Sequence, residues 1–147
     1  MYERILVPTD GSSGTEEAVT RAIDLADHYG ATLHLLYVVD ESALPLDAHA
    51  RAVFEAAAQQ GRESVVALAD RARRAGVEPV ITAVRRGTPH EVILDYAHEE
   101  GADVVVMGTH GRRGVDRYLL GSTTERVLRL ADVPVLVVQM NEGTGAP

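Results

Sequence analysis

Apolar runs and helical repeats alternate along the whole of this chain. Each run carries apolar side chains in consecutive positions, which is typical of a strand covered on both faces. Between the runs, apolar residues recur every three or four positions, as they do on one face of a helix. The predicted strands cover residues 5–7, 32–39, 80–84, 103–107 and 134–138.

Four helices are predicted between the strands. Three of them follow a capping-box pattern, a hydroxyl residue with glutamate three positions later, at Ser13–Glu16, Thr88–Glu91 and Ser122–Glu125. The longest, from about residue 48 to residue 75, has an apolar stripe at Val53, Ala57, Val65, Leu68 and Ala72. This alternation predicts an α/β fold: an open five-stranded parallel sheet with helices on both faces and strand order 3-2-1-4-5.

The composition narrows the class of protein. A chain of 147 residues suits one domain, expected over residues 1–140, with a polar tail at residues 141–147. There is no cysteine, which excludes disulfide frameworks, thiolate zinc sites and cysteine nucleophiles. No apolar run is long enough to span a membrane and the first residues do not resemble a signal peptide, so we expect a cytoplasmic protein without a membrane partner.

Charge limits the possible partners further. The net charge of −8 argues against binding to nucleic acid. All 14 basic residues are arginines, which a salt-rich cytoplasm and an arginine-biased codon usage explain equally well. A nucleotide site in this chain therefore functions without the lysine of a P-loop.

Ligands of open parallel sheets bind beyond the carboxyl ends of the strands. The segments expected there are residues 8–12, 38–41 and 108–124. The last contains the spacing Gly108-x2-Gly111-x9-Gly121-Ser122-Thr123, which is neither a Walker A loop nor a dinucleotide fingerprint. Glycines followed by a helix N-terminus leave backbone N–H groups accessible to an anion, so the segment predicts a phosphate site.

The same spacing resembles the ATP-binding signature of the universal stress protein family. The similarity extends to residues 5–12, 35–40, 87–89 and 134–138. Members of that family that keep the glycine pattern bind ATP, and this chain keeps all three glycines. The resemblance therefore implies an ATP-binding protein, with ADP or AMP as alternative ligands and Mg²⁺ or Mn²⁺ as the accompanying metal.

The resemblance also implies roles for individual residues. Asp10 is expected near the ribose and the metal-phosphate region, and the backbone of Val38 near the adenine. The glycine segment wraps the phosphates, and the start of the fourth helix adds hydroxyl and amide donors. Arginines in the segment, including Arg117, supply positive charge. The complete predicted site comprises Pro8, Thr9, Asp10 (also the metal ligand), Val38, Met107, Gly108, His110, Gly111, Arg112, Arg113, Gly114, Gly121, Ser122, Thr123 and Thr124.

Simpler interpretations remain open for several of these residues. Asp10 also suits a cap of its own turn, and Ser122 suits a helix cap. His110 is either solvated or in contact with phosphate. Arg85 and Arg86 are interpreted as a charged strand end rather than as ligand contacts.

Three functions are compatible with the predicted site. A nucleotide-dependent binding module is favoured over a slow ATPase or phosphotransferase, because a second acidic residue at metal-binding spacing and a group to position water are not evident. A protein-interaction scaffold is the third. In the usual strand order the apolar strand Val135–Val138 lies at a sheet edge, and the resembling family dimerises there, so a homodimer is expected.

Overall fold

Strands and helices alternate in the computed structural model, which describes residues 1–109 and 120–139. The elements are β1 (Arg4–Thr9), α1 (Glu16–Tyr29), β2 (Thr32–Asp40), α2 (Ala50–Arg74), β3 (Val80–Gly87), α3 (Pro89–Glu100), β4 (Val104–Gly108), α4 (Ser122–Leu130) and β5 (Val135–Val138). The strands form one parallel sheet in the order β3-β2-β1-β4-β5. This confirms the predicted fold class and strand order.

The sheet has a packed layer on each face, because successive side chains of a strand point to opposite sides. Ile5 and Val7 of β1 belong to the layer that contains α1 and α2, whereas Leu6 belongs to the layer that contains α3 and α4. Strand β4 alternates in the same way and is buried along its whole length. The central strands therefore hold the carboxyl edge of the sheet rigidly.

One polar pair lies within the second layer. His34 of β2 is buried, and its Nδ1 lies 2.8 Å from the hydroxyl oxygen of Tyr96 on α3. Burial lowers the pKa of His34, an effect opposed by Glu100 and reinforced by Arg4. The imidazole is therefore kept neutral under conditions in which an exposed histidine begins to take up a proton.

Helix starts differ from the capping-box prediction. Thr15 is the N-cap of α1, preceded by a 3-10 turn at Ser13–Thr15, and Gly121 rather than Ser122 is the N-cap of α4. Thr88 is the N-cap of α3 as predicted, but without a side-chain capping bond. At α1 the turn after β1 engages the Thr15 side chain: its hydroxyl donates to the carbonyl oxygen of Ser12 and contacts the Thr9 hydroxyl.

Strand β3 is longer than predicted, because Arg85 and Arg86 continue it rather than end it. They pair in register with Val38 and Val39 of β2. A strand at the edge of a sheet tolerates exposed charged side chains, which the apolar-run criterion does not count.

Helix α2 contacts β2 closely at a single glycine. A Cβ atom at Gly61 would lie 2.4 Å from Cδ1 of Tyr37, and Tyr37 is buried in the first layer. The glycine therefore provides the space that the Tyr37 ring occupies.

In the ranges described, no helix is long and apolar enough to cross a membrane. The predicted tail at residues 141–147 lies outside the described residues.

Candidate functional site

A cleft of about 510 Å³ lies at the carboxyl edge of the sheet. Strand β1 is central there, with β2 on one side and β4 on the other, so the cleft is at the point where strand order reverses. Its lining residues are Pro8, Thr9, Asp10, Thr15, Tyr37, Val38, Val39, Asp40, Ala43, Leu44, Val53, Ala57, Gln60, Pro89, Ile93, Met107, Gly108, Gly121, Ser122, Thr123 and Thr124.

Every predicted site residue that the structure describes lines this cleft. The set comprises Pro8, Thr9, Asp10, Val38, Met107, Gly108, Gly121, Ser122, Thr123 and Thr124. The other predicted residues, His110, Gly111, Arg112, Arg113 and Gly114, together with Arg117, lie outside the described residues. Residues from three separate parts of the sequence are thus brought to one place, while their roles toward a ligand stay predictions.

The turn after β1 is held by its own side chains. Oδ1 of Asp10 accepts a 2.9 Å hydrogen bond from the backbone N–H of Ser12. Gly11, at φ 79°, donates its N–H to Oγ1 of Thr9 at 3.0 Å. The positive φ suits glycine, which allows the chain to reverse directly beside the cleft. Asp10 therefore caps its turn and borders the cleft at once, so the two interpretations are compatible.

The end of β2 extends past β1. The two strands pair as far as Thr9 and Tyr37, whereas the pairing of β2 with β3 continues to Asp40 and Gly87. Residues 38–40 thus project beyond β1 and border the cleft. Strand β1 does not pair with them, because its pairing with β2 ends at Thr9.

The first turn of α4 forms the opposite wall. The N–H of Glu125 bonds to the carbonyl oxygen of Gly121 at 2.9 Å and begins the helical ladder. The N–H groups of Ser122, Thr123 and Thr124 precede that ladder, so they are the donors that a helix N-terminus offers to an anion. The Thr124 hydroxyl, in contrast, donates to the carbonyl oxygen of Gly108, so its hydrogen forms a bond within the protein.

The two ends of the undescribed segment, residues 110–119, are close together. The N–H of Gly121 donates to the carbonyl oxygen of Thr109 at 2.6 Å, and the N–H of Thr109 donates to the carbonyl oxygen of Val138 at 3.1 Å. Gly108 and Gly121, on the two sides of this segment, both line the cleft.

The sequence and the fold match known proteins. The model of the universal stress protein family matches residues 1–139. The chain belongs to the universal stress protein family. Universal stress protein MJ0531 of Methanocaldococcus jannaschii is 37% identical over 142 residues, covering 95% of this chain and 83% of that protein.

Two solved structures of universal stress proteins are similar to this chain in sequence and fold. UspA from Lactobacillus plantarum is 30% identical with a TM-score of 0.86, covering 93% of this chain and 97% of that one. A universal stress protein solved in complex with cAMP is 28% identical with a TM-score of 0.69, covering 95% of this chain and 98% of that one.

Part of the cleft of this universal stress protein is not evident from the sequence pattern. The helical periodicity assigns Val53 and Ala57 of α2 to a core stripe, but they line the cleft with Gln60. The spacing 53, 57, 60 places all three on one face of the helix. The polar residue Gln60 is the one feature of the sequence that indicates that this face of α2 borders solvent or a ligand. The short turn with Ala43 and Leu44 completes this wall.

A metal ion needs several ligands from the groups around it. In residues 1–109 and 120–139, no group of three or more His, Asp or Glu side chains is placed to hold an ion. The carboxylates of Asp10 and Asp40 do line the cleft. Such a site fits Mg²⁺ only in the form in which it accompanies phosphates, with one or two carboxylates and the rest of its ligands from phosphate and water.

Proposed function

We propose that the cleft binds an adenine nucleotide, with ATP as the main ligand, and that the protein is a nucleotide-dependent binding module. The observation that carries the proposal is the convergence of three features at one cleft: the projecting end of β2, the Asp10 turn and the amides that begin α4. A volume of about 510 Å³ lies within the usual range of small-molecule sites.

The phosphates bind at the α4 end in this proposal. The N–H groups of Ser122, Thr123 and Thr124 and the positive end of the helix dipole favour negative charge there. Asp10 borders the same cleft and contributes a ligand to Mg²⁺ or Mn²⁺ that arrives with the phosphates. The positive charge predicted for Arg112 and Arg113 adds to this end of the site.

The adenine binds at the β2 end. Val38, Leu44 and Ala57 provide apolar surface for a flat ring, and the projecting backbone of residues 38–40 provides hydrogen-bonding groups for its edge. Hydrogen bonds from these backbone groups to the adenine edge select the base. They do not depend on how many phosphates the nucleotide carries. ADP and AMP are therefore expected to bind as well, and cAMP is a relevant comparison because a family member binds it.

We also propose that the protein is a homodimer formed through β5. This strand pairs with β4 on one side and ends the described sheet order on the other. Leu136 of β5 is 41% exposed, and Leu128 and Leu130 of α4 are exposed as well. A second copy would cover this apolar edge.

Isothermal titration calorimetry with ATP and Mg²⁺ tests nucleotide binding. The informative variant is Ser122→Pro, which removes one amide donor from the site. Proline suits the first position of a helix, and Gly121 already has the extended conformation, φ −64° and ψ 154°, that a residue before proline adopts. Ser122→Ala is the matched control, because it removes the hydroxyl but keeps the amide.

We expect Ser122→Pro to weaken ATP binding by about 10- to 100-fold, the usual worth of a hydrogen bond to a charged group, and Ser122→Ala to weaken it less. Circular dichroism confirms that each variant is folded. No binding by the folded wild-type protein at millimolar ATP would refute the proposal. Phosphate release above the buffer rate would favour the ATPase function instead.

A further inference from the structure

One wall of the cleft is formed by the connection between strand β2 and helix α2. The wall segment, defined as residues 41–54, joins the end of β2 to the first turns of α2. Ala43, Leu44 and Val53 from this segment line the cleft. Leu46, between them, is fully exposed. The segment therefore forms one side of the cleft.

A single side chain contacts both ends of the wall segment. Nε of Arg86 lies 3.9 Å from Oε2 of Glu41, the first residue of the segment. The guanidinium carbon of Arg86 lies 4.9 Å from the centroid of the Phe54 ring, at the last residue of the segment. An ion pair and a cation–π contact thus connect Arg86 to two residues that are 13 positions apart in the sequence.

Arg86 itself is fixed on the sheet. It pairs in register with Val39 of β2, and Val39 is buried in the layer that contains α1 and α2. Phe54 packs against the same layer. The contacts of Arg86 therefore connect both ends of the wall segment to β3.

We propose that Arg86 is a positioning residue for the cleft, which holds both ends of the wall segment against β3 and so sets the shape of the nucleotide site. This proposal rests on the proposed function, because it assigns the wall segment to the adenine end of that site. Arg86 acts through Glu41 and Phe54. Without Arg86 the wall opens more readily, and bound nucleotide dissociates faster.

The neighbouring arginine provides a matched control. Nη1 of Arg85 lies 4.0 Å from Oε2 of Glu99, and its guanidinium carbon lies 5.4 Å from the centroid of the Tyr96 ring. Arg85 therefore makes the same two kinds of contact as Arg86, but on the opposite face of β3 and with α3. Arg85→Ala and Arg86→Ala each lose one ion pair and one ring contact, and only Arg86→Ala releases the cleft wall.

The first measurement is limited proteolysis of nucleotide-free protein. Chymotrypsin cleaves after large apolar residues, and mass spectrometry identifies cleavage after Leu46. We expect this cleavage to be about three- to tenfold faster in Arg86→Ala than in wild type, in line with the loss of two weak exposed contacts. Arg85→Ala is expected to match wild type, and Arg86→Lys, which keeps the charge, to lie between wild type and Arg86→Ala.

The second measurement is ATP affinity and the dissociation rate of a fluorescent ATP analogue. We expect Arg86→Ala to weaken affinity by about three- to tenfold, mostly through faster dissociation, and Arg85→Ala to leave both unchanged. Equal proteolysis of the two alanine variants, or faster proteolysis of Arg86→Ala with unchanged affinity, would overturn the inference. Failure of wild type to bind ATP would refute the proposed function separately, and proteolysis would then decide alone whether Arg86 holds the wall.

Discussion

The hydroxyl of Thr124 donates a 2.8 Å hydrogen bond to the carbonyl oxygen of Gly108 within the buried part of the fold. Gly108 ends β4 and Thr124 lies in the first turn of α4. This bond fixes the N-terminus of the helix relative to the carboxyl edge of the sheet. The position of the α4 amides is therefore determined by a contact outside the helix itself.

Replacing Thr124 with valine is expected to lower the free energy of unfolding by about 1–3 kcal/mol, because the buried carbonyl of Gly108 loses its donor. Urea denaturation measures this. Thr123→Val is the control: Thr123 lines the cleft, so the unfolding free energy of this variant is expected to change little while ATP binding weakens. An equal loss of stability in both variants would contradict the assignment of Thr124 to the fold.

Asp10→Asn separates the two roles of Asp10. Asparagine retains an oxygen that can accept the N–H of Ser12, so the turn and the unfolding free energy are expected to persist. The charge that the proposed site places near the phosphates is lost, so the Mg²⁺ dependence of ATP affinity is expected to fall. Calorimetry with and without Mg²⁺ measures that dependence, and an unchanged value would assign Asp10 to the turn alone.

Gly61→Ala is expected to destabilise the protein, although alanine favours helices by about 1 kcal/mol over glycine. The new methyl group would overlap the Tyr37 ring, because Cδ1 of that ring lies 2.4 Å from the position the methyl carbon would take. Overpacking of this kind typically costs about 1–3 kcal/mol. In a Tyr37→Val background the ring is gone, so the same substitution is expected to become neutral or stabilising. A double-mutant cycle of unfolding free energies measures this coupling.

The stability of the protein is expected to fall as the pH drops below about 6.5, the ordinary pKa of histidine. Burial lowers the pKa of His34 in the folded state, so between that lowered pKa and about 6.5 the unfolded chain binds more protons. The contribution of neutral His34 to the free energy of unfolding is complete above about pH 6.5, and it is lost as the pH falls toward the folded-state pKa.

Unfolding free energies measured by urea denaturation from pH 7 to pH 5 check this expectation. The comparison is the double variant His34→Leu, Tyr96→Phe, which removes the buried pair without leaving either partner unsatisfied. Its stability is expected to depend less on pH. An identical dependence in both proteins would show that His34 is not its source.

Leu136→Arg is expected to convert the proposed dimer to a monomer, because it places a charge on the exposed apolar edge of β5. Sedimentation velocity at micromolar protein measures the change. Ile81→Arg is the matched control, since Ile81 lies on the opposite edge strand with 42% exposure, close to the 41% of Leu136. A monomeric wild type, or dissociation by Ile81→Arg alone, would contradict the proposed interface.

Local sequence patterns predict the fold correctly where the burial of a residue follows from the residues next to it in the sequence. The apolar runs of β1 and β4 locate the central strands, and the turn residues after them locate the cleft. The prediction is wrong where a tertiary contact decides the outcome. Thr15 starts α1 because its hydroxyl meets Thr9, and β3 continues through Arg85 and Arg86 because an edge strand accepts charge.

The α2 wall of the cleft illustrates the same limit. Val53 and Ala57 satisfy the spacing of a core stripe, and periodicity does not distinguish a core from an apolar ligand site. Only the packing of α2 against β2, with Gly61 over Tyr37, shows which part of the stripe borders the cleft.

The hydrogen bond between Gly121 and Thr109 has a consequence for how such a protein diversifies. It joins two backbone groups, so it holds residues 109 and 121 together without any contribution from their side chains. Substitutions that accumulate at Thr109 during evolution can therefore change its side chain and still leave the end of β4 joined to the start of α4.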